Sequence, residues 1–219
     1  MGKFPSIPTR IPEGEQGSVK IEHFEIGKPT ARMMIRPDEY ISPGRYARLL
    51  VNNNIMMSDT PMERQTNNTF LRCAHGDILI AGLGLGMILF PLLEDPEKTK
   101  EVKSIVVIEK NPDVFDLVLP HLPDDTRLAV FQDDIFTWKP KPGWKFNTIY
   151  FDIWKDITTD NLPGMAKLHR RFARSLDRSD PRAFMDSWCR DSLRARRRRE
   201  LVQERENSYW REILRRRST

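Results

Sequence analysis

The chain has 219 residues, 39% hydrophobic and 31% charged, which suits one domain with a sizeable core plus extensions. No apolar run approaches the length of a membrane span, and Met1-Gly2-Lys3-Phe4-Pro5 lacks an apolar signal core, so neither membrane insertion nor secretion is expected and a cytoplasmic location is. The net charge is +5, but residues 190–219 hold eleven Arg, no Lys and five Asp/Glu for +6, which leaves −1 for the rest; a nucleic-acid partner has to rest on that tail.

Residues 1–44 read as an irregular, proline-rich arm, with Pro5, Pro8, Pro12 and Pro29 and no helical or alternating apolar period. Two apolar runs, 45–51 and 55–57, flank Asn52-Asn53-Asn54, and because Asn tolerates left-handed backbone a β-hairpin over 45–58 is predicted. Asp59 or Thr60 then caps a helix with Pro61 in its first turn and Glu63 adding acidic character, running to about Cys73.

Asp77-Ile78-Leu79-Ile80-Ala81 is a buried-type strand that runs into Gly82-Leu83-Gly84-Leu85-Gly86. Glycines at every second position allow positive φ and the approach of a ligand to bare backbone; an ordinary glycine-rich turn between core elements reads equally well from these residues alone. An apolar helix follows over 87–93, kinked or cut short at Pro91, and 94–100 reads as a charged surface loop. Ser104–Glu109 is a second strand and Asn111-Pro112-Asp113 opens a helix stopped by Pro120 and Pro123. Arg127–Phe131 is a third strand ending at Asp133-Asp134, and Phe146–Phe151 a fourth ending at Asp152. A helix over about 160–176, a short fifth strand at 183–185 with Trp188 near it, and a helix over 189–217 with apolar points at Leu193, Leu201, Val202, Trp210, Ile213 and Leu214 complete the chain. The run Arg196–Arg199 reads as a solvated face, with RNA, DNA or an acidic partner as the sharper alternative. Cys73 and Cys189 have no metal-type spacing and the four histidines form no ligand pair, so no metal is expected and the cysteines suit a reducing compartment.

Strands that are near-continuously apolar and alternate with helices mark a parallel sheet covered on both faces, so the expected class is α/β, doubly wound and mainly parallel, with an N-terminal hairpin and a C-terminal basic helix. Glycines or acids sit at the carboxyl end of all four strands, the edge where open α/β sheets bind ligands. One such acid is an ordinary helix cap; three in register with a glycine turn favour a site.

No Gly-x-x-x-x-Gly-Lys-Ser/Thr motif occurs, and the Gly-x-Gly-x-Gly spacing with Met87 following differs from the dinucleotide Gly-x-Gly-x-x-Gly. The order of motifs resembles the class I S-adenosylmethionine (SAM) dependent methyltransferases, whose Rossmann-like domain would here cover 45–188, with 189–219 as an Arg-rich helical tail. Ile78–Gly84, with apolar Ile80 two residues before the first glycine, together with Val107–Val114, Asp134-Ile135-Phe136 and Ile149–Asp152, is similar to the spermidine synthase branch in particular. The resemblance covers roughly residues 40–155. It implies SAM as cofactor, held by Gly82, Leu83, Gly84, Gly86, Glu109, Lys110, Asp133, Asp134, Ile135 and Asp152. In it, Glu109 takes the ribose hydroxyls, and Asp134, in second place Asp133, accepts from the adenine amine. Asp152 faces the transfer site as catalytic residue and orients or deprotonates an amine or hydroxyl, while Asp59 and Trp154 are candidates for substrate contact. Two features depart from that branch. Leu85 stands where it carries an Asp, and its second acid after strand four is displaced to Asp156, both of which weaken the case for holding cationic polyamines.

The leading expectation is a SAM-dependent methyltransferase acting on an unidentified acceptor. The alternatives are an aminopropyltransferase using decarboxylated SAM, and a non-catalytic SAM-binding or nucleic-acid-associated protein acting through 190–219. The two final strands typical of class I methyltransferases are not visible, so the sheet is either truncated or completed by a partner; a homodimer is one option.

Overall fold

A computed structural model describes residues 4–28 and 41–217. The chain builds two sheets. The first is antiparallel, in the order β1 (Gly14–Gln16), β2 (Val19–Ile26), β3 (Gly44–Val51) and β4 (Asn54–Ser58). Asn52 and Asn53 take φ of 50° and 60°, the left-handed pair that a tight β3–β4 turn demands. The expected irregular arm is corrected here: a short 3-10 turn at Ile7–Thr9 and strands β1 and β2 occupy it, with Ile7, Ile11, Val19 and Ile21 buried. Alternation of Val19 and Ile21 with Lys20 and Glu22 puts the apolar members inward, and Glu22 pairs across the sheet with Arg48 at 2.7 Å. Residues 29–40 of that arm, and the Leu214 side chain, lie outside what is described.

The expected single helix after the hairpin is two, α1 (Pro61–Thr66) and α2 (Asn68–Cys73), interrupted at Asn67, whose amide side chain accepts the Tyr150 hydroxyl at 3.0 Å.

The second sheet is the expected parallel one. β5 (Gly76–Ala81) lies at its centre, with β6 (Val102–Glu109) and β7 (Leu128–Gln132) on one side and β8 (Thr148–Phe151) and β9 (Phe184–Ser187) on the other, in the order β7-β6-β5-β8-β9. Between these strands stand α3 (Leu89–Glu94), α4 (Pro96–Glu101), α5 (Pro112–Val118) and α6 (Leu162–Phe172). One face buries Ile78, Ile80, Ile105 and Val107 against Phe70, Leu89 and Phe90; the other buries Leu79, Val106, Ile149 and Phe151 against Leu168 and Phe172. Each such side chain contributes roughly 1.5–3 kcal/mol of burial, which is why strands covered on both faces read as unbroken apolar runs. This is the doubly wound, Rossmann-like arrangement.

Two local expectations fail for definable reasons. Pro91 falls in the first turn of α3, where its missing N–H costs no helical bond, and the helix runs on to Glu94. The supposed loop at 94–100 is mostly α4, because Asp95 caps it by accepting the Glu97 amide at 2.9 Å and Pro96 starts it.

The last element, α7 (Arg190–Arg217), is one 28-residue helix. Leu193 is buried, but Leu201, Val202 and Trp210, expected as apolar contact points, are exposed. Among the described residues no helix is long and apolar enough to cross a membrane.

Candidate functional site

The carboxyl ends of β5, β6, β7 and β8 open on one side of the parallel sheet, and the antiparallel sheet with α1 closes over them. Between lies a cavity of about 450 Å³, within the size range of small-molecule sites.

The floor is the turn after β5. Gly82 has φ 95°, and a Cβ there would collide with the Asp152 carbonyl oxygen, so only glycine lets β5 and β8 stay adjacent at this end. Gly84 has φ 53° and lies directly beneath the Met57 thioether of β4, which also receives the Leu85 amide at 3.2 Å. Gly82, Leu83 and Gly84 line the cavity. Gly86 does not; it turns toward Leu122 and Val118 and packs the turn onto the region after α5, a correction to its expected place in the site.

Glu109 ends β6 almost fully buried. One carboxylate oxygen accepts the Leu83 amide at 2.8 Å and the other the Asn111 amide at 2.7 Å. A carboxylate offers about four acceptor positions, so two remain for a ligand in the cavity. At the end of β7, Asp134 accepts the Phe136 amide at 2.9 Å and pairs with Lys110 at 2.9 Å; the Lys110 bond, first, and then that amide hold its carboxyl below the ordinary range. Asp133 accepts the Asp134 amide at 2.6 Å, so these two acids and Lys110 form one polar rim. Ile135 and Phe136 supply an apolar wall beside it.

Across the cavity from that rim stands Asp152. Its amide bonds the Ala81 carbonyl at 2.8 Å, which fixes the residue at the β8 end, and among the described residues no donor bonds its carboxylate. Burial pushes its carboxyl up to about 7. Glu63, from α1, lines the same cavity. Both its oxygens lie 2.9 Å from the Ser58 amide, yet burial raises it to about 7, with the negative charge of Asp152 adding to the shift and the Ser58 amide opposing it. Two carboxyl groups poised near neutrality in one cavity form an arrangement that accepts and releases protons at ordinary pH. Trp154 and Trp188 stand on the wall, and the Trp188 indole N–H donates to Thr66 at 2.9 Å, which fixes its ring against α1.

Asp59 is not part of this cavity. It is wholly buried and accepts the Ile7 amide at 3.0 Å, the Ala47 amide at 2.7 Å and Arg64 at 2.8 Å, so it ties the N-terminal turn to β3 and α1. Its expected substrate contact is therefore corrected to a structural role. Nor does it cap α1, whose N-cap is Thr60, with no side-chain cap bond. Tyr150 is likewise committed to the core, stacked on Phe70 at 4.2 Å between centroids. Met57 and Trp188 are among the lining residues that motif spacing did not assign. Glu63 was signalled by its position in the first turn of a helix adjoining the hairpin.

Free acceptor positions on Glu109 and an acid beside an apolar wall at β7 together fit an adenosyl ligand in the cavity.

No family model matches this chain, and no curated protein matches it. Among solved structures it is similar to the N-methyltransferase NodS from Bradyrhizobium japonicum WM9, at 16% identity and a TM-score of 0.41, over 54% of this chain and 65% of that one. It is also similar to SAM-bound CalS10, an amino pentose methyltransferase from Micromonospora echinaspora, at 16% identity and a TM-score of 0.36, over 52% of this chain and 46% of that one. A third is a SAM-dependent methyltransferase from Clostridium acetobutylicum ATCC 824, at 16% identity and a TM-score of 0.36, over 54% and 48% of the two chains. The chain spans less than two thirds of the length of each of these structures.

Proposed function

We propose that the protein is a SAM-dependent methyltransferase with a spermidine synthase-like core, which methylates an amine or hydroxyl of an acceptor bound between α1 and Asp152. The observation that carries this reading is Glu109. It ends the strand beside the glycine turn, grips that turn through Leu83, and keeps acceptor positions for two vicinal hydroxyls at the cavity wall.

The residues divide the work by position. The backbone of Gly82, Leu83 and Gly84 receives the amino-acid arm, Glu109 the ribose hydroxyls, and Asp134 the adenine amine beside Ile135 and Phe136. SAM, when bound, supplies a sulfonium-activated methyl group. Transfer from a sulfonium needs chiefly alignment and a neutral nucleophile. Asp152, with its carboxyl near 7 and no protein donor attached, takes up the acceptor's proton at a carboxylate oxygen. Trp154 and Trp188 exclude water from that side and offer ring faces to a cationic acceptor.

A second reading, aminopropyl transfer from decarboxylated SAM, is favoured by one observation. Glu63 brings a second carboxyl to the cavity in the region where the motif pattern, with Leu85 and the displaced Asp156, had removed acids. Calorimetry with SAM, decarboxylated SAM and NAD in parallel tests both readings, followed by mass spectrometry of the nucleoside product. S-adenosylhomocysteine marks methyl transfer and methylthioadenosine marks aminopropyl transfer. Heat with NAD alone refutes both.

A further inference from the structure

The cavity leaves α7 unexplained. At 1.5 Å per residue its 28 residues extend about 42 Å, and its first turns rest on the body. Leu193 is buried, Arg196 reaches the Ile157 carbonyl at 3.5 Å, and Glu200 accepts from Thr159 at 3.3 Å. From Leu201 to Arg211 every residue is exposed.

The arginines of this helix are of two kinds. Arg196 pairs with Glu200 at 3.0 Å, and Arg197 with Glu200 at 3.4 Å and Glu204 at 3.0 Å, so one face is neutralised within the helix. Arg198, Arg199 and Arg205 have no ion-pair partner among the described residues. At about 100° per residue Val202 and Tyr209 fall on one line, Arg198 and Arg205 flank it on one side, and Arg199 and Glu206 flank it on the other, so the exposed face carries three Arg against one Glu. Val202 and Tyr209 are 55% and 59% exposed. All eleven basic residues of 190–219 are arginines, whose planar forks suit bidentate contact with phosphate oxygens.

We propose that this face of α7 docks in the major groove of double-stranded DNA, with Arg198 and Arg205 on one phosphate row, Arg199 on the other, and Val202 and Tyr209 toward the base edges. A helix about 10–12 Å across fits the ~12 Å major groove of B-form DNA, whereas the deep groove of A-form RNA is too narrow. The exposed stretch from Leu201 to Arg211 enters without uncovering any of the body. The assignment does not depend on the chemistry of the cavity.

The test is fluorescence anisotropy of the full chain with a labelled 20-base-pair DNA duplex across a salt series. Three phosphate contacts predict a slope of log K against log salt near −3, at roughly 0.9 per contact. The double variant R198Q/R205Q is expected to lose at least tenfold in affinity and most of the salt slope. The control R196Q/R197Q, which removes the same two positive charges from the internally paired face, is expected to stay within threefold of wild type. Circular dichroism checks the helix in each. Equal losses in both variants would mean attraction by net charge and would overturn the assignment of the face. Tighter binding to duplex RNA, single-stranded DNA or phosphatidylserine vesicles than to duplex DNA overturns the assignment of the occupant, as does absence of duplex binding.

Discussion

The Glu109 carboxylate accepts the Leu83 amide at 2.8 Å, so the acid that ends β6 is tied to the turn that ends β5. The same group that is proposed to take the ribose therefore also sets the shape of the glycine turn. Removing it acts on binding and on the turn together. Glu109→Ala leaves the Leu83 and Asn111 amides without their charged acceptor, at a cost of about 1.5–3 kcal/mol for each hydrogen bond to a charged group. The expected result is a folded protein with a lower urea midpoint and at least tenfold weaker SAM binding by calorimetry. Wild-type affinity in that variant would remove the ribose from Glu109.

Gly84 provides a steric test of the same floor. A methyl group there meets the Met57 sulfur and must also tolerate φ 53°. Left-handed backbone costs a non-glycine residue roughly 1–2 kcal/mol, and the collision adds to this. Gly84→Ala is expected to weaken SAM binding and lower stability. Adding Met57→Ala should restore the part due to the collision and leave the backbone part. A double variant no better than the single one would show that Met57 does not cover the turn.

Asp59 is predicted to separate stability from function. Its carboxylate is fully buried against two backbone amides and Arg64, and breaking a buried charged pair by removing one partner typically costs about 3–5 kcal/mol. Asp59→Ala is expected to lower the thermal midpoint strongly while the protein that remains folded binds SAM as wild type does. A selective loss of affinity at unchanged stability would return Asp59 to the site.

The contrast between Asp59 and Glu63 shows which parts of the site were legible in the sequence. The acids at Glu109, Asp134 and Asp152 could be placed because a buried parallel strand fixes where its last residue points, and the strands announce themselves as apolar runs. Gly82 and Gly84 follow for the same reason. Asp59 and Glu63 lie four residues apart beside a helix start, where both satisfy the same local preference for acids. Which one faces the cavity is decided by the Ile7 and Ala47 amides, which come from distant segments. The N-terminal strands were hidden by prolines that in fact stop short of Val19. The alternation of Val19 and Ile21 with Lys20 and Glu22 spans only a few residues, too short to stand out from its surroundings until β3 supplies the partner. The outer part of α7 was legible as a helix, but Leu201, Val202 and Trp210 are exposed rather than turned to the body.

The pair Asp152 and Glu63 sets the pH behaviour. Both carboxyls are raised to about 7 in the fold against ordinary values of 3.8 and 4.5, so the folded protein binds more protons than the unfolded chain between about pH 4 and 7. Stability from these groups is thus fully present at low pH and is lost as pH rises through 7. Asp152→Asn escapes that loss. It should be more stable than wild type at pH 8 by about 1–3 kcal/mol in urea unfolding, with the difference vanishing toward pH 4. Glu63 feels the charge of Asp152, and such coupling is mutual. Glu63→Gln removes one of two like charges, so the Asp152 carboxyl, followed by carbon-13 NMR titration, should fall. The profile of turnover against pH should move to lower pH with it, while SAM affinity stays unchanged. An unmoved Asp152 titration would mean that the two carboxyls do not share the cavity electrostatically, and the proton acceptor would then be Asp152 alone.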